Sequence, residues 1–276
     1  MSEIPPEIVS HYERGDEARR LFSGGGELER LRTLDILARE LPKPPAVICD
    51  VGGAAGAYAF ELARQGYAVH LIDPVDIHLE QARAHEKQAN TALASISQGD
   101  ARRLDVADAS ADAVLLLGPL YHLIDRADRL CALREARRVL KPSGVLFAAG
   151  ISRFASLFDG LVTGAFADPD FRGIVADDLR TGMHHNPTDN PDYFTTACFH
   201  RPEELSVEVS EAGFTDARVL AVEGAAGITS RFQQAWDDPE QREALLQFMS
   251  QVEAEPSLLG ASGHLLAVAR RPVDVG

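Results

Sequence analysis

The sequence predicts an α/β protein: a mostly parallel sheet covered by helices, with an antiparallel edge strand and a helical cap. Three observations predict it. Short apolar runs alternate with amphipathic helix-length segments between residues 46 and 150, the order that a parallel sheet with crossover helices requires. The run Ala113-Val-Leu-Leu-Leu-Gly118 is apolar without alternation, as a strand buried on both faces must be. A glycine-bearing turn, Asp50-Val-Gly-Gly-Ala-Ala-Gly56, closes the first apolar run, where an open α/β sheet bends from strand into helix.

Taken in order, residues 1–45 read as a helical lid. Leu28, Leu31, Leu34 and Ala38 recur at helical spacing, and Leu41-Pro-Lys-Pro-Pro45 stops the helix. The core, 46–150, is read as strands 46–51, 68–72, 93–97, 113–117 and 145–149, with helices 56–65, 77–89 and 126–140 between them. In helix 126–140, Leu130, Leu133, Ala136 and Leu140 are expected to face the sheet, and Arg126, Arg129, Arg134 and Arg138 the solvent. Residues 151–200 form a cap insertion of two short helices and a loop rich in His, Asn, Pro, Asp and aromatics. The part from 201 to 276 returns to the core. Pro202 starts a helix that ends at Gly213, and strand 217–222 follows. A helical insertion, 225–262, contains the capped start Asp237-Asp-Pro-Glu240. The last strand, 264–269, is expected to pair with 217–222 as the antiparallel edge.

Composition narrows the function. The 276 residues are 45% hydrophobic, enough for a packed interior, and 27 basic against 42 acidic residues leave a net charge of −15. Such a surface repels phosphate backbones, so no nucleic-acid partner is expected. The three cysteines, Cys49, Cys131 and Cys198, form no spaced cluster, which points to a reducing cytoplasm and to no metal site. No secretory leader is recognisable at Met1, and no apolar run reaches the ~20 residues of a membrane span. A monomer or homodimer with a small-molecule partner is the expectation.

The glycine turn decides the ligand. A dinucleotide would place its pyrophosphate on the following helix N-terminus, but Asp50 faces that turn and would repel it. The spacing G-x-G-x-x-G also fails, because Ala54 and Ala57 stand where glycines are needed. An acid there suits a ligand that carries an ammonium and a sulfonium.

Asp50-x-Gly52-x-x-x-Gly56 resembles motif I of the Rossmann-like class I S-adenosylmethionine (SAM) methyltransferases, with Ala54 in place of a usual glycine. Later segments fall where that family has its own: Asp73 at a strand end, Gly99-Asp100-Ala101, Leu117-Gly-Pro-Leu-Tyr-His122, and Leu140-Lys-Pro-Ser-Gly144. The lead-in Tyr12-x-x-Gly-Asp-Glu17 and the run Tyr193 to Leu205 are similar to a broad bacterial group of small-molecule methyltransferases. The resemblance implies SAM as cofactor and S-adenosylhomocysteine as product. It also implies a cofactor site made of Gly52, Gly53, Gly56, Asp50, Asp73, Pro74, Asp100, Ala101 and Leu117. Asp73 would accept both ribose hydroxyls and Asp100 would read the adenine, while Tyr12 and Arg32 of the lid close over the methionine end. A surface ion pair is the other reading of Arg32.

Methyl transfer needs positioning and, for some acceptors, a base. Candidates are His122, Tyr121, Tyr193, His185 and His200, since histidine titrates near neutrality and Tyr121 and His122 follow the fourth strand. His184-His185 lacks a partner motif for a metal, and Thr188-Asp-Asn-Pro-Asp192 lies in an insertion rather than at strand ends. Cap aromatics (Phe154, Phe158, Phe166, Phe171, Tyr193, Phe194, Phe199) suggest an apolar or aromatic acceptor, indole- or phenol-like; a core internal to the cap is the equal alternative. The competing readings are a macromolecule methyltransferase, a SAM-binding protein without transfer activity, and an NAD(P)-linked oxidoreductase.

Overall fold

The structure, a computed structural model, describes residues 5–13, 17–188, 190–229 and 231–273; the chain's first residues, where a leader was sought, and Gly15-Asp16 of the lead-in lie outside these. Helices α1 (Pro6–Glu13), α2 (Glu17–Arg20) and α3 (Gly24–Glu40) precede the sheet. Then come β1 (Val47–Val51), α4 (Ala57–Arg64), β2 (Ala68–Asp73), α5 (Asp76–Ala89), β3 (Ser95–Gln98) and β4 (Ala111–Leu116). They are followed by α6 (Pro119–His122), α7 (Arg126–Val139) and the long β5 (Leu140–Ser152). The cap holds α8 (Ala155–Thr163), α9 (Pro169–Thr181), β6 (Met183–His184) and β7 (Ala197–His200). The chain continues through α10 (Pro202–Glu211), β8 (Thr215–Ala221), α11 (Phe232–Asp237), α12 (Pro239–Val252) and β9 (His264–Arg270).

Strands β3, β2, β1, β4 and β5 lie side by side and parallel. The chain runs outward from β1 in one direction and from β4 in the other, so the crevice between their carboxyl ends is a topological switch point. Beyond β5, antiparallel β9 pairs on both sides, with β5 and with β8. The antiparallel strand is therefore internal, and β8 forms the edge. Unbroken burial explains this: Leu265, Leu266, Ala267, Val268 and Ala269 of β9 are all buried, whereas in β8 only Leu220 and Ala221 are.

One apolar layer, including Leu116, Leu133, Ala136 and Leu146, fills the α7 face of the sheet. Another, including Ile36, Ile48, Phe60, Leu71 and Phe147, fills the face under α3 and α4. Arg129 departs from the solvent-facing expectation. It is buried, pairs with Glu208 at 2.8 Å and donates to the carbonyls of Leu123 and Ile124, so it ties α7 to α10.

Strands β6 and β7 lie where the sequence predicts a loop. They form because β5 outruns β4: Ile151 and Ser152, at its free end, pair with Phe199 and His200. Among the described residues no helix is long and apolar enough to cross a membrane.

Candidate active site

A cavity of about 330 Å³ opens at the switch point, over the carboxyl ends of β1 and β4. Its floor is the glycine turn. Gly52 N–H donates to the Ile72 carbonyl at 2.7 Å, which ties the turn to β2. Gly52 has φ +70°, and a Cβ there would lie 2.7 Å from the Pro119 ring. At Gly53 a Cβ would sit 2.6 Å from the Asp50 carboxylate, so Gly52 makes room for Pro119 and Gly53 lets the backbone pass close to the acid. Ala54 also has positive φ (+48°), a conformation that costs an L-residue roughly 1 kcal/mol. The middle position thus needs the backbone of a glycine but carries a methyl group.

Three acids line the cavity from successive strand ends. Asp50 is fully buried, and among the described residues neither carboxylate oxygen has a partner of good hydrogen-bond geometry; the Ala59 backbone makes only a weak contact with it. Burial, then the nearby Asp73, pushes its carboxyl up to about 7. Asp73 is held in place: Oδ2 accepts from Ala54 N–H at 2.9 Å, and Oδ1 from Val75 N–H at 2.9 Å and His78 Nδ1 at 3.0 Å. Asp100 is engaged by Arg102 (2.6 Å), which also reaches Asp128 at 2.7 Å. Burial would raise the Asp100 carboxyl, but the Arg102 bonds outweigh it and hold it below the usual range. Pro74, Ala101 and Leu117 line the same cavity.

The roof comes from the N-terminal helices: Ile8 and Tyr12 of α1, with Leu21 and Phe22 beyond α2. Tyr12 Oη lies 2.6 Å from His122 Nε2, across the cavity wall, and His122 Nδ1 faces the Thr196 carbonyl at 3.4 Å. With the Nδ1 proton on Thr196, Nε2 accepts from the tyrosine. Burial pulls His122 down to about 4, against the Thr196 carbonyl, so it is neutral at physiological pH. Tyr121 lines the cavity but its hydroxyl donates to Leu117 O at 3.3 Å.

Other predicted site residues lie elsewhere. Arg32 does not line the cavity. It is 1% exposed and its guanidinium binds Glu253, Asp35 and the Val222 carbonyl, so it is a buried structural pair rather than a cofactor contact. Tyr193 donates to Asp168 at 2.7 Å and packs on Phe171 within the cap. His185 is exposed, with Nδ1 3.3 Å from Thr196 Oγ1. His200 is buried at the Arg129–Glu208 pair, with Nε2 3.4 Å from Glu208. None of these three lines the cavity, nor do any of the cap aromatics. Phe171 packs against both Phe166 and Tyr193, and Phe199 stacks on His184, so these side chains are engaged within the cap.

Sequence reasoning missed His78, which is 2% exposed, lines the cavity and has an Nε2 without a partner among the described residues. It also missed the trio Glu29, Glu223 and His264, whose ligand atoms are close enough to share an ion. Burial would lower His264, but Glu29 and Glu223 raise it to about 9 and its Nδ1 donates to Glu223 at 2.5 Å. Arg20 pairs with Glu29, so the trio's charges are balanced within the protein.

Comparison with known proteins decides the family. A family model described as a methyltransferase domain matches residues 48–144. The ubiquinone biosynthesis O-methyltransferase of Methylocella silvestris is 32% identical over 186 residues, 59% of this chain and 70% of that protein. The chain belongs to the SAM-dependent methyltransferases. A ubiquinone/menaquinone biosynthesis C-methyltransferase of Caulobacter vibrioides is 35% identical over 141 residues, 48% of this chain. The match spans about half the length (54%) of that relative. Among solved structures, a SAM-dependent methyltransferase of Thermotoga maritima, described as a possible histamine N-methyltransferase, shares the fold with TM-score 0.59. It is 19% identical and covers 96% of this chain and 99% of its own. A phosphoethanolamine N-methyltransferase of Haemonchus contortus in complex with SAM superimposes with TM-score 0.58 at 17% identity, covering 96% of this chain and 57% of its own. SAM is the cofactor of the family.

Proposed function

We propose that this methyltransferase transfers a methyl group from SAM to a small organic acceptor bound under the N-terminal helices. The buried Asp50 carboxylate is the observation that carries the reading. A buried acid held by no more than a weak backbone contact from Ala59, facing a cavity, calls for a cationic ligand, and the ammonium of SAM supplies one. The donor set fits the rest of the cofactor. Asp50 and the Gly52-Gly53 backbone meet the methionine end. Asp73 and Pro74 take the ribose, and Asp100, Ala101 and Leu117 surround the adenine. When bound, the cofactor supplies a methyl carbon already activated by a positive sulfur.

The chain's own work is orientation. Held near 4, His122 is a weak base but a permanent hydrogen-bond acceptor, suited to fixing a hydroxyl or amine in one direction. Tyr12 occupies that acceptor in the closed roof. A small acceptor fits a roof made of Ile8, Tyr12, Leu21 and Phe22, and the net charge of −15 opposes nucleic acid. An aromatic, phenol- or indole-like acceptor is the finer reading. Tyr12 and Tyr121 around His122 support it, as do relatives named for ubiquinone biosynthesis. Three unpaired cysteines support a cytoplasmic location.

Calorimetry with SAM and with NAD tests the cofactor, and labelled SAM offered to phenols, indoles, quinols, protein and RNA tests the acceptor. SAM binding, abolished or strongly weakened in Asp73→Ala, with label on a small molecule is expected. Binding of NAD alone, or label only on macromolecules, would overturn the proposal.

A further inference from the structure

Asp73 has too few open lone pairs for a ribose diol. A carboxylate offers about four acceptor positions. Val75 N–H and His78 Nδ1 occupy both on Oδ1, and Ala54 N–H occupies one on Oδ2. One position remains, on Oδ2, so Asp73 can accept one ribose hydroxyl but not two.

His78 stands where the second acceptor is needed. It lies in the first turn of α5, directly after the β2 end that carries Asp73. Its Nδ1 faces the Asp73 carboxylate and carries the proton, which leaves Nε2 as a lone-pair acceptor. The residue is 2% exposed, it lines the cavity, and among the described residues Nε2 has no hydrogen-bond partner. A buried imidazole nitrogen with an unused lone pair is costly unless a ligand fills it. The Tyr12 ring meets the His78 ring edge-on at 5.5 Å, so the roof packs on this imidazole.

We propose that the ribose diol is divided between two side chains: one hydroxyl donates to Asp73 Oδ2 and the other to His78 Nε2. This rests on the SAM site argued above. His78 then has two tasks, orienting Asp73 through Nδ1 and binding the ligand through Nε2. The sequence-based expectation that Asp73 accepts both hydroxyls is revised accordingly.

The test is calorimetry of wild type and His78→Leu with S-adenosylhomocysteine and with its 2′-deoxy and 3′-deoxy analogues. The variant is expected to bind S-adenosylhomocysteine about tenfold more weakly, the usual worth of one such bond. That loss should fall below about twofold with one deoxy analogue, and persist with the other. An equal loss with all three ligands would mean that His78 only orients Asp73, and would overturn the proposal, as would no loss at all. Failure of wild type to bind S-adenosylhomocysteine would instead refute the SAM site itself. A readout that does not depend on the variant is the Nε2 nitrogen resonance of His78 in wild type. It should shift on binding S-adenosylhomocysteine and stay put with one of the two deoxy analogues. A resonance that never responds would refute the division of the diol.

Discussion

Asp50→Asn should make the ligand-free protein more stable and a poorer binder of SAM, with a pH signature that separates the two effects. The carboxyl titrates near 3.8 in an unfolded chain and at about 7 in the fold, because burial and the nearby Asp73 outweigh a backbone contact from Ala59. The folded state therefore holds the proton more tightly than the unfolded state. Stability contributed by this group is full below pH 3.8, falls as pH rises, and levels off above about 7. Each pH unit in that window costs up to about 1.4 kcal/mol, so the total cost above pH 7 is roughly 4 kcal/mol. Asparagine carries no charge and escapes most of it. In thermal scans of the ligand-free protein, wild type and variant should unfold at nearly the same temperature at pH 4.5. The variant should lead by up to ~10 °C at pH 8. Calorimetry should show SAM affinity lower by a hundredfold or more at pH 8, because the cofactor's ammonium loses a desolvated charge partner. In wild type, SAM affinity should rise up to ~10-fold per pH unit towards pH 7 and then flatten, and this slope should vanish in the variant. A variant that is no more stable at pH 8, or that binds SAM as wild type does, would refute the reasoning.

Strand β9, helix α3 and the glycine turn supply three more tests. His264→Gln removes an imidazolium that two acids hold up at about 9, so its contribution is present below pH 6.5 and is lost as pH rises through 9. Urea unfolding should show a deficit of roughly 3 kcal/mol at pH 6 that closes towards pH 10. Arg32→Met strips a buried partner from Glu253, which keeps Arg39, and should cost about 2–3 kcal/mol in the same assay. Because Arg32 lies outside the cavity, calorimetric affinity for SAM should stay within about twofold, below the worth of a single lost hydrogen bond. Ala54→Gly relieves a positive φ and should gain up to ~1 kcal/mol, after the extra backbone entropy of glycine is counted. A drop in melting temperature would show that the Ala54 methyl is needed where it stands.

Much of the sheet was legible because its strands are buried on both faces and show as unbroken apolar runs. Val114, Leu115 and Leu116 needed no partner to be recognised. Strand β7 was not legible. Its four residues sit between Thr196 and Arg201, and its partner is the distant end of β5. The three acids stood out because each closes or follows an apolar run, a position that chain spacing fixes. Arg129 reads as solvent-facing, and Arg32 as a cofactor contact or a surface ion pair. Arg32 is an ion pair, but both arginines are buried, because the carboxylates that cover them, Glu253 and Glu208, come from remote segments. His78 was passed over because a histidine on an amphipathic helix has no distinctive spacing; only the fold sets its ring against Asp73.

The cap aromatics carry a different lesson about where selectivity sits. Seven aromatic residues in one insertion suggested an acceptor pocket, but an insertion of about fifty residues must first fill its own small core. Phe166, Phe171 and Tyr193 are in contact there, and Phe199 and His184 stack. None of them lines the cavity. The residues that do cover it, Ile8, Tyr12, Leu21 and Phe22, belong to the lead-in that the sequence marked only as a lid. Tyr12 also bonds His122, the one predicted base in the cavity whose imidazole lone pair is directed at the roof. An acceptor that reaches Nε2 must therefore displace Tyr12. Closure of the roof by Tyr12 and recognition of an acceptor thus compete for one nitrogen, and on the proposed function the N-terminal helices, rather than the cap, would exercise acceptor choice.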